Sequence, residues 1–253
     1  MEALKFLNLR QLMGPLEADA RRVALGCGPA DAALGGGLRP DALHEVFSEP
    51  GEEAAASGFA LGLARLVMGR HKWLVWVRQD FSAMEAGDIH AAGLLELGID
   101  PARVLCVRAH DARQVLRAGA DALACKGVAA VILEPWGEAG VFDLVASRRL
   151  TLLAQQNDVT AIVLRFAADP SPSAAETRWQ VRSAHSTVNV DEDWGTPRHD
   201  AELMRNRHGN TGRWIMEWDG NDGLFRPAHR GALAAAAADR QAEAALEGAR
   251  AAG

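Results

Sequence analysis

Residues 25–69 read LGCGPADAALGGGLRPDALHEVFSEPGEEAAASGFALGLARLVMG, and the order of parts in this stretch decides the fold. A glycine turn at Gly35, Gly36 and Gly37 precedes a short apolar run from Leu43 to Phe47. A polar loop from Ser48 to Ser57 follows, and then a helical pattern from Gly58 to Met68. Strand, loop and helix in this order are where a phosphate-binding loop would sit. Such a loop, G-x-x-x-x-G-K-[ST], needs glycines so that backbone N–H groups converge on phosphate oxygens, a lysine for the outer phosphates and a hydroxyl for magnesium. Here the chain runs Ser48, Glu49, Pro50, Gly51, Glu52, Glu53, Ala54, Ala55, Ala56, without lysine and with three carboxylates that repel a polyphosphate. Either this is a phosphate loop that has lost its chemistry, or it is a polar strand-to-helix connection of ordinary length.

Outward from this stretch, strands and helices alternate. Trp73–Val77, Val104–Val107, Val128–Leu133 and Thr160–Phe166 read as buried strands, and Ile89–Leu97, Val115–Cys125 and Phe142–Gln156 as the helices between them. Short apolar strands separated by helices mean βαβ units and a parallel sheet covered on both faces. With the strand at Leu43 this gives five strands in one doubly wound α/β core. Trp73 and Trp76, three apart on one strand, face opposite sides of that sheet, as a core buried on both faces requires. After Phe166 the period changes to two, over Thr177–Arg182, Ala201–Arg207 and Arg213–Trp218, with a hairpin turn at His208–Gly212. The expectation is an antiparallel C-terminal extension of the sheet.

The flanks differ in character. Residues 1–24 form an N-terminal helical segment, with Leu4, Leu7, Leu12 and Leu16 on one stripe broken at Gly14-Pro15; residues 25–228 form the globular domain; residues 229–253 form an Ala-rich tail, helical or disordered. The length of 253 residues is ample for burying a core without metals or disulfides. Three scattered cysteines, Cys27, Cys106 and Cys125, offer neither a disulfide framework nor metal-ligand spacing. With no basic-then-apolar start and no membrane-length apolar run, the expected location is the cytoplasm, with no membrane partner. A net charge of -6 argues against bulk electrostatic attraction to DNA.

The run Leu25–Leu38, with its "LGGG" phrase, and its continuation through Leu43–Phe47 resemble the opening segment of the RecA superfamily. Ala175-Glu176-Thr177-Arg178-Trp179-Gln180-Val181 is similar to an "ATRW-V" phrase, Glu202–Gly209 to "EL-RNR-G", and Trp214–Trp218 to "W-EW". Taken in order, these phrases cover residues 25–226 and resemble the ImuA family of RecA-like proteins of damage-inducible mutagenesis. That resemblance implies a RecA-like fold with a degenerate phosphate loop, no cofactor, no metal and no enzymatic activity. It further implies a role in the SOS response and error-prone translesion synthesis through protein contacts: with an ImuB-type Y-family polymerase homologue, with RecA, and indirectly with an error-prone DnaE-type polymerase. Two other readings stay open, a SulA-like inhibitor of cell division and an ATPase with an unorthodox loop.

Within a RecA-like frame, the water-polarising acid falls at Asp80, beside Gln79, and the magnesium-holding acid at Glu134. Both stand at carboxyl ends of strands, where such folds place ligands; with no lysine in the loop they read as vestigial. Arg178, Arg182, Arg205, Arg207, His208 and Arg213 gather on the period-two strands and their turn. Arginine binds phosphates bidentately and stacks on bases, so this set is a candidate surface for a partner protein or a weak DNA contact; an ordinary solvated strand face is the competing role. Trp136, just past a strand, and Trp194, in an acidic loop, are the aromatic candidates for a partner surface, against packing roles for each.

Overall fold

The computed structural model describes residues 21–69, 72–186 and 195–228. The N-terminal helical segment up to residue 20, the Ala-rich tail and Trp194 lie outside the described residues. Nine strands form one sheet in the order β3-β2-β4-β5-β1-β6-β7-β8-β9. They are β1 (Leu43–Ser48), β2 (Trp73–Gln79), β3 (Val104–Ala109), β4 (Val128–Glu134), β5 (Thr160–Arg165), β6 (Thr177–Ser183), β7 (Arg198–Asn206), β8 (Gly212–Asp219) and β9 (Leu224–Pro227). The described helices are α1 (Gly28–Ala33), α2 (Glu53–Val67), α3 (Asp80–Ala86), α4 (Ala91–Glu96), α5 (Ala112–Leu123) and α6 (Leu144–Asn157).

The five expected parallel strands are present, and β1, β4 and β5 are buried along their whole length. They divide two cores. On one face α2 packs with Trp76, Ile132, Leu164, Trp179 and Phe225; on the other, α5 and α6 cover Val77, Leu133, Val163 and Leu43. The result is the doubly wound α/β core with antiparallel C-terminal strands.

Three expectations need correction. First, β6 is parallel, not antiparallel: it pairs with β1 in the register His44↔Thr177 to Ser48↔Val181, and the reversal comes at β7. Its period-two pattern arises because Thr177, Trp179 and Val181 are buried while Arg178, Gln180 and Arg182 lie on a face that α6, seated on β1 and β5, does not cover. Second, the polar connection is only four residues, Glu49–Glu52, and the helix starts at Glu53. Ala54-Ala55-Ala56 behind an acidic first residue is a strong helix start, since alanine has the best helix propensity and a carboxylate suits the N-terminal end of the dipole. Third, Trp73 is 41% exposed whereas Trp76 is 3% exposed. Trp73 opens β2 beside the edge strand β3, where Arg103 stacks over its ring instead of a helix.

The glycine-rich opening segment works as a clasp. Asp31 accepts the backbone N–H groups of Leu25 and Gly26 at 2.6 and 3.1 Å, turning the chain into α1. Gly26, at φ +99°, lies so close to Phe225 that a Cβ would stand 2.5 Å from the Phe225 carbonyl oxygen. That approach lets Phe225 N–H donate to the Leu25 carbonyl, joining β9 to the start of the domain. The β7–β8 hairpin docks on the other end of α1, where Asn206 Nδ2 and Asn210 N both donate to the Ala33 carbonyl.

At the amino-terminal ends of β1 and β6, Trp179 Nε1 donates to Thr177 Oγ1 at 3.0 Å, and Thr177 Oγ1 lies 2.7 Å from His44 Nδ1. His44 Nε2 is 2.9 Å from the Arg39 carbonyl, which can only accept, so the ring is neutral with its proton on Nε2. Burial is the chief reason that its pKa falls from 6.5 to about 4.

Candidate functional site

The carboxyl ends of β1, β2, β4 and β5 are where a RecA-like protein would hold nucleotide, and here the chain fills the position with its own charges. Glu49 binds Arg182 of β6 at 2.5 and 3.0 Å, which lowers the Glu49 carboxyl pKa. Glu52 accepts the N–H of Ser183 at 2.7 Å, and Glu53 accepts the N–H of Gly51 at 3.2 Å. The backbone N–H of Gly51, a donor that a phosphate loop would turn to its ligand, is thus spent on a side-chain carboxylate. Ala54 and Ala55 stand where the lysine and hydroxyl would be.

The two candidate acids are committed elsewhere. Glu134 is fully buried; its Oε2 accepts from Trp76 Nε1 at 2.6 Å and Arg78 Nε at 2.8 Å, and its Oε1 from Arg78 Nη2 at 2.9 Å. A buried carboxylate held bidentately by a buried arginine already has its charge compensated. Asp80 opens α3 and pairs with Arg108 at 3.1 Å, and Arg108 also reaches Asp88 at 3.1 Å. Gln79 accepts the N–H of Trp136 at 3.0 Å. Among the described residues no cluster of His, Cys, Asp or Glu could hold a metal ion.

Four of the six basic candidates share one face of β6, β7 and β8. Arg178 is opposite Arg205, Arg182 opposite Asp200, and Glu202 opposite Arg213. The face alternates in sign rather than forming a positive field. Arg182 belongs to Glu49 and Arg213 to Asp200; the latter pair draws the Asp200 pKa down and the Arg213 pKa up. Arg178 turns inward to Glu45 at 2.9 Å with its side chain 11% exposed, and Arg205 donates to the Ser173 carbonyl. His208, in the turn, stands 3.5 Å from Glu176, and Arg207 is exposed beside it. Trp136 is half-buried between Phe81 and Phe166, at ring-centroid distances of 5.7 and 5.9 Å.

Sequence reasoning passed over His199. It lies 3% exposed on β7 against Phe59 and Phe225, and neither ring nitrogen makes a well-directed hydrogen bond among the described residues. Desolvation lowers its pKa from 6.5 to about 4, against a smaller opposing pull from the Ala55 backbone. Its place in the alternation of β7, between the partly buried polar residues Arg198 and Asp200, was the signal for burial.

Comparison with known proteins completes the site. No protein-family model matches the chain. Over 207 residues it is 34% identical to "Protein ImuA" of Caulobacter vibrioides strain NA1000 / CB15N, covering 76% of this chain and 79% of the relative. The chain belongs to the ImuA family. The ImuA of a second Caulobacter vibrioides strain, ATCC 19089, matches at the same 34% identity over the same 207 residues. Family membership places the protein in damage-inducible mutagenesis, the theme of the opening resemblance. Among the described residues no helix is long and apolar enough to cross a membrane.

Proposed function

We propose that this protein is a non-catalytic RecA-like accessory factor of SOS-induced, error-prone translesion synthesis. It works in the cytoplasm by binding an ImuB-type polymerase homologue and RecA, and through them an error-prone DnaE-type polymerase. The observation that carries this reading is the 34% identity to ImuA across most of both chains. The geometry supports its non-catalytic half: the nucleotide position holds three carboxylates tied to the chain's own donors, and Glu134 is locked to Arg78. The alternating charges on the face of β6 to β8 suit a protein partner better than a polyanion, which favours an even or positive potential.

The test is the frequency of ultraviolet-induced mutation in a strain lacking the protein, with cell length scored in the same cultures. Loss of induced mutants with normal filamentation is the expected outcome. Normal mutagenesis with failure to filament would replace this reading with a division inhibitor. Calorimetric titration of ATP into the purified protein should give no heat; saturable binding would restore the ATPase.

A further inference from the structure

We infer that the outward face of α5 and α6 docks an acidic amphipathic helix of a partner protein. This deepens the reading above, on which it rests, that the protein works through protein contacts.

The two helices pack side by side over the sheet face opposite α2. α6 turns Ser147, Leu150 and Ala154 to the core. At about 100° per residue, its opposite side is the line through Val145 and Leu152, two turns apart, with Arg148 on one side of that line and Arg149 on the other. Val145 is 74% exposed and Leu152 56%. Single exposed aliphatics are ordinary; two on one line, framed by cations, form an apolar strip with a charged rim. The neighbouring α5 adds exposed Arg113 and Arg117, one turn apart. These arginines differ from others on the surface. Arg108 holds Asp80, Arg213 holds Asp200 and Arg226 holds Asp222. Among the described residues Arg113, Arg117, Arg148 and Arg149 enter no ion pair or hydrogen bond. Asp121 is the one acid within the two helices, and the carboxylates at their starts, Asp111 and Asp143, are used as caps, accepting the N–H groups of Gln114 and Ala146. A chain of net charge -6 thus keeps uncompensated cations around an apolar strip.

This pattern selects the occupant. A nucleic-acid backbone would use the arginines but gain nothing from Val145 and Leu152, which offer neither a hydrogen bond nor a ring for base stacking. A lipid surface holds a helix in proportion to the apolar area it buries, and two aliphatics on a helix whose other side is core supply little. A partner helix with apolar residues along one line meets the strip, and Asp or Glu on both sides of that line meets the arginines on both rims.

The test is the fluorescence anisotropy of a labelled synthetic helical peptide, with leucines along one line and glutamates on both sides of it, titrated with the full chain. It should bind saturably and more weakly as salt rises, whereas a scrambled peptide of the same composition and a twin with lysine in place of glutamate should not bind. Leu152→Glu should weaken binding about tenfold or more, and Arg149→Glu several-fold; both side chains are exposed, so both variants should melt with the wild type. No binding of the acidic peptide, equal binding of its scramble, or titrations unchanged in both variants would overturn the inference. Tighter binding of duplex DNA or of phosphatidylglycerol vesicles than of the peptide, lost in Arg149→Glu, would also overturn it, in favour of a phosphate-bearing surface. In cells, Leu152→Glu supplied to the strain lacking the protein should accumulate normally and fail to restore induced mutants; full restoration would overturn the docking face while the polymerase reading stands. Normal mutagenesis in the deletion strain itself would remove that reading and leave the peptide titrations to decide the inference.

Discussion

Acid should unfold this protein through His44 and His199, the buried histidines among the described residues, and His199 allows the effect to be isolated. Folded His44 and His199 have pKa values lowered from 6.5 to about 4, mainly by desolvation. In the unfolded chain both rings take a proton as pH falls through 6.5, while in the folded chain they stay neutral down to about 4. The unfolded state thus binds more protons in this window. The stability contributed by neutral burial is complete above 6.5 and is lost as pH falls towards 4. At about 1.4 kcal/mol per unit, the full shift removes roughly 3 kcal/mol for each ring. The two together are a large fraction of the 5–15 kcal/mol typical of a domain, at about 6 kcal/mol. Urea unfolding of wild type and His199→Leu should be followed from about pH 7 to about pH 4.5. The substitution removes one titrating ring, so the slope of stability against pH between about 5 and 6 should fall by about 1 kcal/mol per pH unit, whatever it does to stability at neutral pH. Parallel curves for the two proteins would refute the argument, because His199 would then titrate in the folded state as it does in the unfolded one.

Replacing Glu134 with Ala takes the close counter-ion from Arg78, 4% exposed, leaves it only Asp88 at 4.0 Å, and should cost about 3–5 kcal/mol in urea unfolding; an unchanged midpoint would mean that the pair is not structural. Gly209→Ala brings a Cβ to the Ala33 carbonyl oxygen, at 2.3 Å before relaxation, and should lower stability by about 1–3 kcal/mol, read as a drop in Tm. Ala54→Lys restores the missing phosphate-loop lysine, yet Glu49, Glu52 and Glu53 remain, so tryptophan fluorescence should still show no ATP binding; a saturable quench would contradict the account of the loop.

The parallel core was legible because buried strands such as Val128–Glu134 are apolar on both faces and helices separate them at regular intervals. The direction of β6 was not, since period two records only that one face is uncovered and carries no sign of strand polarity. The absence of phosphate chemistry was plain in the residues between Ser48 and Ala56. Where the carboxylates went was hidden, because the partners of Glu49 and Glu52, Arg182 and Ser183, are more than a hundred residues downstream. The arginines illustrate the same gap. Clustering on the period-two strands could be read from the chain, whereas Arg178 turning to Glu45 and Arg213 to Asp200 follows from a pleat and register that only folding sets.

The clasp between the opening segment and the last strands also fixes the order in which the domain can be completed during synthesis. Leu25 and Ala33 leave the ribosome early, but the groups that occupy their carbonyls, on Phe225, Asn206 and Asn210, are made nearly two hundred residues later. Until then the first-made turn lacks the strands that close it. Closing so long a loop is slow, and a chain ended before Phe225 would leave the Leu25 carbonyl without its partner and the apolar face of α2 without the Phe225 ring. Integrity of the far end is thereby checked at the beginning of the domain, so a shortened product would be exposed to proteolysis rather than persist as a competent binder.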